Sequence, residues 1–78
     1  LTTNTMKTLI ESNIVKQEGS VPFSISLNNT GEKLFPYSTH LKTYEGEEHF
    51  FYHGDYCSTL KQAMASFKER CKERGLQY

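Results

Sequence analysis

Apolar positions recur with two different periods in this chain, and the change between them falls inside the stretch from His49 to Gly75. In an extended segment successive side chains point to opposite faces, so Phe50, Tyr52, Gly54 and Tyr56 share one side of a strand. His49, Phe51, His53 and Asp55 share the other. Leu60, Ala63, Met64, Phe67 and Cys71 then follow at helical spacing and form one apolar stripe, with Lys61, Gln62, Lys68, Glu69, Lys72 and Glu73 opposite it. Ser58 and Thr59 mark the helix start, and Thr59 with Gln62 makes a T-x-x-Q capping box. Gly75 suits the left-handed residue that ends a helix and frees Leu76 to touch Cys71, while Lys72 and Arg74 sit where the helix dipole favours cations. The more apolar side of the strand is expected to face the helix, leaving the histidine side outward.

Earlier in the chain, Val21, Phe23, Ile25 and Leu27 alternate with Pro22, Ser24 and Ser26, the signature of a strand with one buried face. Pro22 has no N–H for a ladder, which predicts an edge strand or at least an unpaired side at that residue. Asn28 to Glu32 is the richest turn cluster and predicts a hairpin into a second strand over Lys33 to Tyr44, with Leu27 opposite Lys33, Ile25 opposite Phe35 and Phe23 opposite Tyr37. Glu45 and Gly46 predict the next hairpin turn, setting Thr43 opposite Glu48 and Leu41 opposite Phe50. Near the N-terminus, Met6, Leu9, Ile10 and Ile14 lie close to helical spacing, and Thr8 with Glu11 repeats the capping pattern. A short helix over residues 5–16 is the reading, with a strand over Leu9 to Lys16 as its alternative. The expected architecture is thus α+β: a three-stranded antiparallel meander packed on a C-terminal amphipathic helix, preceded by a short helix.

At 78 residues the chain is one small domain, near the lower limit at which a single core holds a fold without help, so self-association would be unsurprising. Leu1 is no initiator and Met6 follows closely, so residues 1–5 read as disordered or vector-derived and receive no structural role. Nine basic and nine acidic residues balance, which sets this chain apart from proteins built around a phosphate backbone. No run approaches the roughly 18 apolar residues of a membrane span, and no basic-then-apolar leader opens the chain, so the expectation is a soluble cytoplasmic protein without a membrane partner. Cys57 and Cys71, at either end of the helix, are about 20 Å apart at helical rise and read as reduced thiols.

No motif specifies a chemistry. His49 and His53 are about 13 Å apart on a strand, too far to share an ion, and neither cysteine belongs to a zinc-type pair, so no metal or cofactor is expected. Cys57 before a helix, with His53 nearby, lacks an orienting group or an oxyanion motif, so no catalytic residue is assigned and the chain reads as no enzyme. The glycines never cluster into a phosphate cradle. The basic helix end at Lys68, Arg70, Lys72 and Arg74 interleaves with Glu69 and Glu73 and reads first as a salt-bridged solvated face. The outer sheet face is the most informative feature: Phe51 and Tyr44 among His40, His49, His53 and Lys42 give aromatic area with few unpaired charges, as interfaces prefer. These six form the candidate binding set.

The segment G-D-Y-C-S-T-L-K-Q-A from Gly54 to Ala63, behind an aromatic strand, resembles the last strand and helix of plant ethylene-response DNA-binding domains and of the arm-binding domains of tyrosine integrases. The resemblance covers about a third of the chain, rests on Gly54, Thr59 and Ala63, and implies a sheet laid in a DNA groove. It departs at the reading face, where those families carry Arg and Trp and this chain has Lys42, His40 and Ser38. With an N-terminal helix, the element order is also similar to double-stranded-RNA-binding domains, whose lysine cluster on the last helix is reduced here to Lys61. The leading expectation is a compact interaction module that binds a protein partner or itself through the outer sheet face, of the accessory kind carried by bacteria and phages. Nucleic-acid binding by the sheet and the basic helix end is the alternative.

Overall fold

The computed structural model describes residues 6–78; residues 1–5, given no role above, lie outside the described residues. Among the described residues the chain forms four strands, β1 (Lys7–Glu11), β2 (Phe23–Asn29), β3 (Tyr37–Glu45) and β4 (Glu48–Cys57), followed by one helix, α1 (Leu60–Arg74). Each strand pairs antiparallel with the next, giving the sheet order β1-β2-β3-β4, and α1 packs against β2, β3 and β4. The α+β class, the meander and the C-terminal helix stand as expected. The strand number and the N-terminal helix do not.

The N-terminal segment, read as a short helix with a strand over Leu9 to Lys16 as the alternative, is a strand, the edge strand β1, set earlier at Lys7–Glu11. Helical spacing misleads because only Ile10 of that apolar set joins the core. Ile10 lies opposite Leu27, whereas Leu9 is the extra residue of a β-bulge between Thr8 and Ile10 and is 51% exposed. Pairing with β2 satisfies the backbone there and overrides local propensity. Just past β1, Ser12 takes both sides of the ladder, its amide donating to the Ile25 carbonyl at 2.9 Å and its hydroxyl accepting from the Ile25 amide at 2.9 Å.

The helix follows its sequence signals closely. Thr59 is the N-cap, extended at φ −130° and ψ 155°, and its hydroxyl accepts from the Gln62 amide at 3.1 Å. The return half of the capping box is displaced by one residue, since Gln62 Oε1 accepts from the amide and hydroxyl of Ser58. Gly75 closes the helix at φ 68°, and the Leu76 amide donates to the Cys71 carbonyl at 2.9 Å. Ala63, Phe67 and Cys71 are fully buried against Ile25, Leu27 and Cys57, with Met64 and Leu76 alongside; Leu60 lies outside the core at 46% exposure. A polar chain ties the helix to the sheet beside this core. Arg70 Nη1 donates to the Thr39 hydroxyl at 3.1 Å, Thr39 and Ser66 hydroxyls lie 2.9 Å apart, and Ser66 donates to Asp55 at 2.7 Å.

Both hairpins differ from the predicted register. Leu27 opposes Thr39, Ile25 opposes Leu41 and Phe23 opposes Thr43, so residues 33–36, expected to begin the second strand, join the turn residues 30–32 in a broad loop instead. Thr30 organises it: its amide donates to Pro36, its hydroxyl donates to the Phe35 carbonyl at 2.6 Å and accepts from the Glu32 amide at 3.1 Å. The displacement is even, so every β3 side chain keeps its predicted face. The second turn is Gly46-Glu47, closed by Glu45 opposite Glu48; Gly46 has φ 65° and Glu47 does not share the positive φ, the pattern of a type II′ turn. Pro22 does not mark an edge, because β2 is interior. It stands just before the strand and contributes its carbonyl, which accepts from the Tyr44 amide at 3.0 Å.

A second bulge reverses the phase of β4. Thr39 opposes Asp55 while Leu41 opposes Tyr52, so His53 and Gly54 together face the single residue His40. His53 takes φ 54°, the sole positive φ outside glycine among the described residues. Beyond this point Asp55 and Cys57 turn towards the helix and Tyr56 turns to the outer face, the reverse of the alternation predicted for that end of the strand.

Candidate functional site

The outer sheet face, away from α1, is assembled by the two bulges. On β1 the extra residue Leu9 lets both Thr8 and Glu11 reach that face; on β4 the extra residue lets both Phe51 and Tyr56 flank His40. Between them β2 contributes Ser24, Ser26 and Asn28, and β3 contributes Ser38, His40, Lys42 and Tyr44. The sequence turns this side outward as the candidate binding face. Instead Ser24, Ser26, Asn28, Ser38, His40 and Lys42 are all buried.

Buried polar groups need partners, and nearly all have them. His40 Nδ1 lies 3.1 Å from the Ser38 hydroxyl and 3.3 Å from the Asn28 amide nitrogen, which assigns Nδ1 as acceptor and the proton to Nε2. Asn28 Oδ1 accepts from Thr8 at 2.9 Å, and Thr8 accepts from Lys42 at 3.2 Å. Lys42 reaches Glu11 at 3.5 Å, the one ion pair among the described residues, and Glu11 also accepts from Ser24 at 2.6 Å and from the Tyr44 hydroxyl. The network thus crosses from β3 through β2 to β1. The buried hydroxyls of Ser26 and Thr43 have no partner among the described residues.

These contacts set the charge states. Burial, and then the positive charge of Arg70, hold His40 below its ordinary value, so it is neutral at pH 7. Burial pushes Glu11 upward, but hydrogen bonds from Ser24, Tyr44 and Lys42 and the Lys42 charge outweigh it and leave the carboxyl below its ordinary value. Burial, then the hydrogen bond and charge of Glu11, push Tyr44 up to about 12.

Over this layer the rings form a continuous ladder. Tyr44 and His49 lie 6.4 Å apart between centroids, His49 and Phe51 5.3 Å, Phe51 and His40 5.5 Å, and His40 and Tyr56 5.5 Å, all edge-to-face. Lys42 Nζ sits 5.4 Å and 5.6 Å from the rings of Tyr44 and Phe51. Gly54 is required beneath the ladder, because a Cβ there would stand 2.4 Å from His40 Nε2. Of the six predicted site residues, five meet on this face. His53 does not join them: it occupies the bulge, and its carbonyl accepts from Arg70 Nη2 at 2.6 Å. Tyr56, assigned by alternation to the helix side, takes its place, and the isolated Gly54 within a strand pattern was the signal for that bulge.

The chemistry open to the face is narrow. His40 has one nitrogen engaged and the other packed over Gly54, so it is shielded from any substrate. Cys57, considered above as an activated thiol, has its pKa raised, first by burial and then by Asp55. Arg70, read as part of a phosphate-contacting end, is tied to Thr39 and His53. Among the described residues no three His, Cys, Asp or Glu side chains converge on a metal position, and no helix is long and apolar enough to cross a membrane. An open cleft of about 500 Å³ lies between Tyr56 and the loop residues Gly31 to Phe35.

The backbone of β4 adds a second feature. Because the Tyr44 amide bonds Pro22, the even-numbered residues of β3 direct their backbone groups to β2 and the odd-numbered ones to β4. Their partners Glu48, Phe50 and Tyr52 therefore face β3, and the N–H and C=O groups of His49 and Phe51 point away from the sheet. No strand pairs with this edge among the described residues, and side chains on both of its faces are accessible, with Phe50 at 38%, Tyr52 at 46% and Tyr56 at 52% exposure. No family model, curated protein or solved structure matches the chain.

Proposed function

We propose that this chain is a small interaction module that binds protein, a partner or itself, through β4 and the aromatic ladder of the outer face. The observation that carries the reading is the coincidence on one strand of a free backbone edge at His49 and Phe51 with accessible rings on both of its faces. Strand addition supplies affinity through main-chain bonds and specificity through alternate side chains, and aromatic residues dominate interface energetics. The contact falls on His49, Phe51, Tyr44 and Tyr56, with His40 and Lys42 beneath as the support that fixes the rings. Two buried, unpaired thiols fit action in a reducing compartment such as the cytoplasm.

Nucleic-acid binding has less support, since Lys42 is paired with Glu11, Arg70 is engaged within the fold and the net charge is zero. Light scattering of the purified protein at low and high salt, repeated with Phe51→Asp, tests the reading. A dimeric mass that withstands salt and is lost in Phe51→Asp supports it. A monomer in every condition, with duplex or single-stranded nucleic acid bound in a steeply salt-dependent manner, overturns it.

A further inference from the structure

Resting on that reading, we infer that the occupant of the β4 edge is a second copy of this chain, paired antiparallel about a two-fold axis at Phe50. The free groups are self-complementary. With the axis at Phe50, His49 of one copy and Phe51 of the other exchange N–H and C=O bonds, and the same pair repeats on the other side of the axis. Phe50 then faces Phe50 of the second copy as a non-hydrogen-bonded pair, the closer of the two spacings in an antiparallel ladder. The result is an eight-stranded sheet with both helices on one face and the two ring ladders joined on the other.

Charge selects this partner and this register. Glu47 in the preceding turn and Glu48 at the start of β4 make one end acidic, while further along Arg70, which feels Asp55 and Glu73 but has no carboxylate within ion-pair distance among the described residues, binds the His53 carbonyl. Antiparallel pairing about Phe50 sets Glu48 opposite Tyr52 and Glu47 opposite His53 of the second copy, so each acidic end meets the other copy's guanidinium. An axis at His49 would place the two glutamates opposite Phe51 and Phe50, away from Arg70. An axis at Phe51 would leave a single hydrogen-bonded pair clear of the His53 carbonyl that Arg70 already occupies, whereas the axis at Phe50 keeps two. Zero net charge leaves no overall repulsion between copies.

Phe50→Cys tests the geometry. Opposed Cα atoms at a non-hydrogen-bonded pair lie about 4.5 Å apart, within disulfide range, and the native Cys57 and Cys71 are buried. Under mild oxidation, Phe50→Cys is expected to convert at least tenfold faster to a covalent dimer than Glu45→Cys, which lies a strand further from the axis. Glu48→Arg should weaken the dimer at least tenfold at low salt. A dimeric mass without the Phe50→Cys crosslink would overturn the β4 pairing and leave the association reading intact. A monomeric wild-type protein in which Phe50→Cys stays uncrosslinked would overturn the second-copy pairing, and steeply salt-dependent binding of nucleic acid by that monomer would overturn the interaction reading as well.

Discussion

The two faces of this sheet exclude water by different means. Towards α1, Ile25 and Leu27 meet Ala63, Phe67 and Cys71, and burial there rests on apolar contact that is non-directional and indifferent to pH. On the outer face, Ser24, Asn28, Ser38, His40 and Lys42 reach similar burial as members of a hydrogen-bonded layer under a ladder of rings. Such a layer is stable only while every member keeps its geometry and its protonation state. The same sheet therefore has one face that tolerates rearrangement and one that specifies it.

Three perturbations sharpen the contrast. Phe67→Ala removes the largest fully buried side chain from the apolar face and should cost about 3 to 5 kcal/mol, read as a loss of urea midpoint; a cost near zero would mean that the helix contributes little to the fold. Gly54→Ala acts on the other face by pushing a methyl into His40 Nε2, a ring already fixed between Phe51, Tyr56, Ser38 and Asn28. It should cost about 1 to 3 kcal/mol and move the Phe51 and Tyr56 ring resonances while leaving those of Phe67 in place.

Acid gives the smallest effect and the cleanest separation. His40 has a folded pKa below its ordinary 6.5, so the unfolded chain takes up more protons, and the stability present above that value is lost as pH falls through the folded one. Glu11 has the same sign but acts lower, below its ordinary 4.5. Urea midpoints measured from pH 7.5 to 5 should decline in the wild type and stay level in His40→Gln. An equal decline in both would place the sensitivity outside this layer.

The apolar face was legible in the sequence because its signals are local and redundant: the stripe, the Thr59 cap and the Gly75 stop all describe one helix. The faces of β2, β3 and the first half of β4 were legible too, and survived two wrong registers because both errors were even. What escaped were the features that depend on distant partners. The Thr30 loop is held by a hydroxyl bonding across five positions, which residue preference does not reveal. The buried polar layer of the outer face was not legible because Glu11, the partner of Lys42, lay in the segment read first as a helix, and because a bulge at His53 exchanges the places of Asp55 and Tyr56. Gly54 was visible as an oddity in a strand; what required it, the ring of His40 overhead, was visible only in three dimensions.

One connection ties the chain across almost its whole length: the Asn13 amide donates to the Gln77 carbonyl, and Asn13 Oδ1 accepts from the Gln77 amide, across 64 positions. Strands that pair only with their sequence neighbours can register by successive short closures, whereas this pair must wait until the helix has docked and brought the two segments together. The clasp is therefore expected to close late on the folding route. Loosening it, as in Asn13→Ala, should speed unfolding far more than it slows folding.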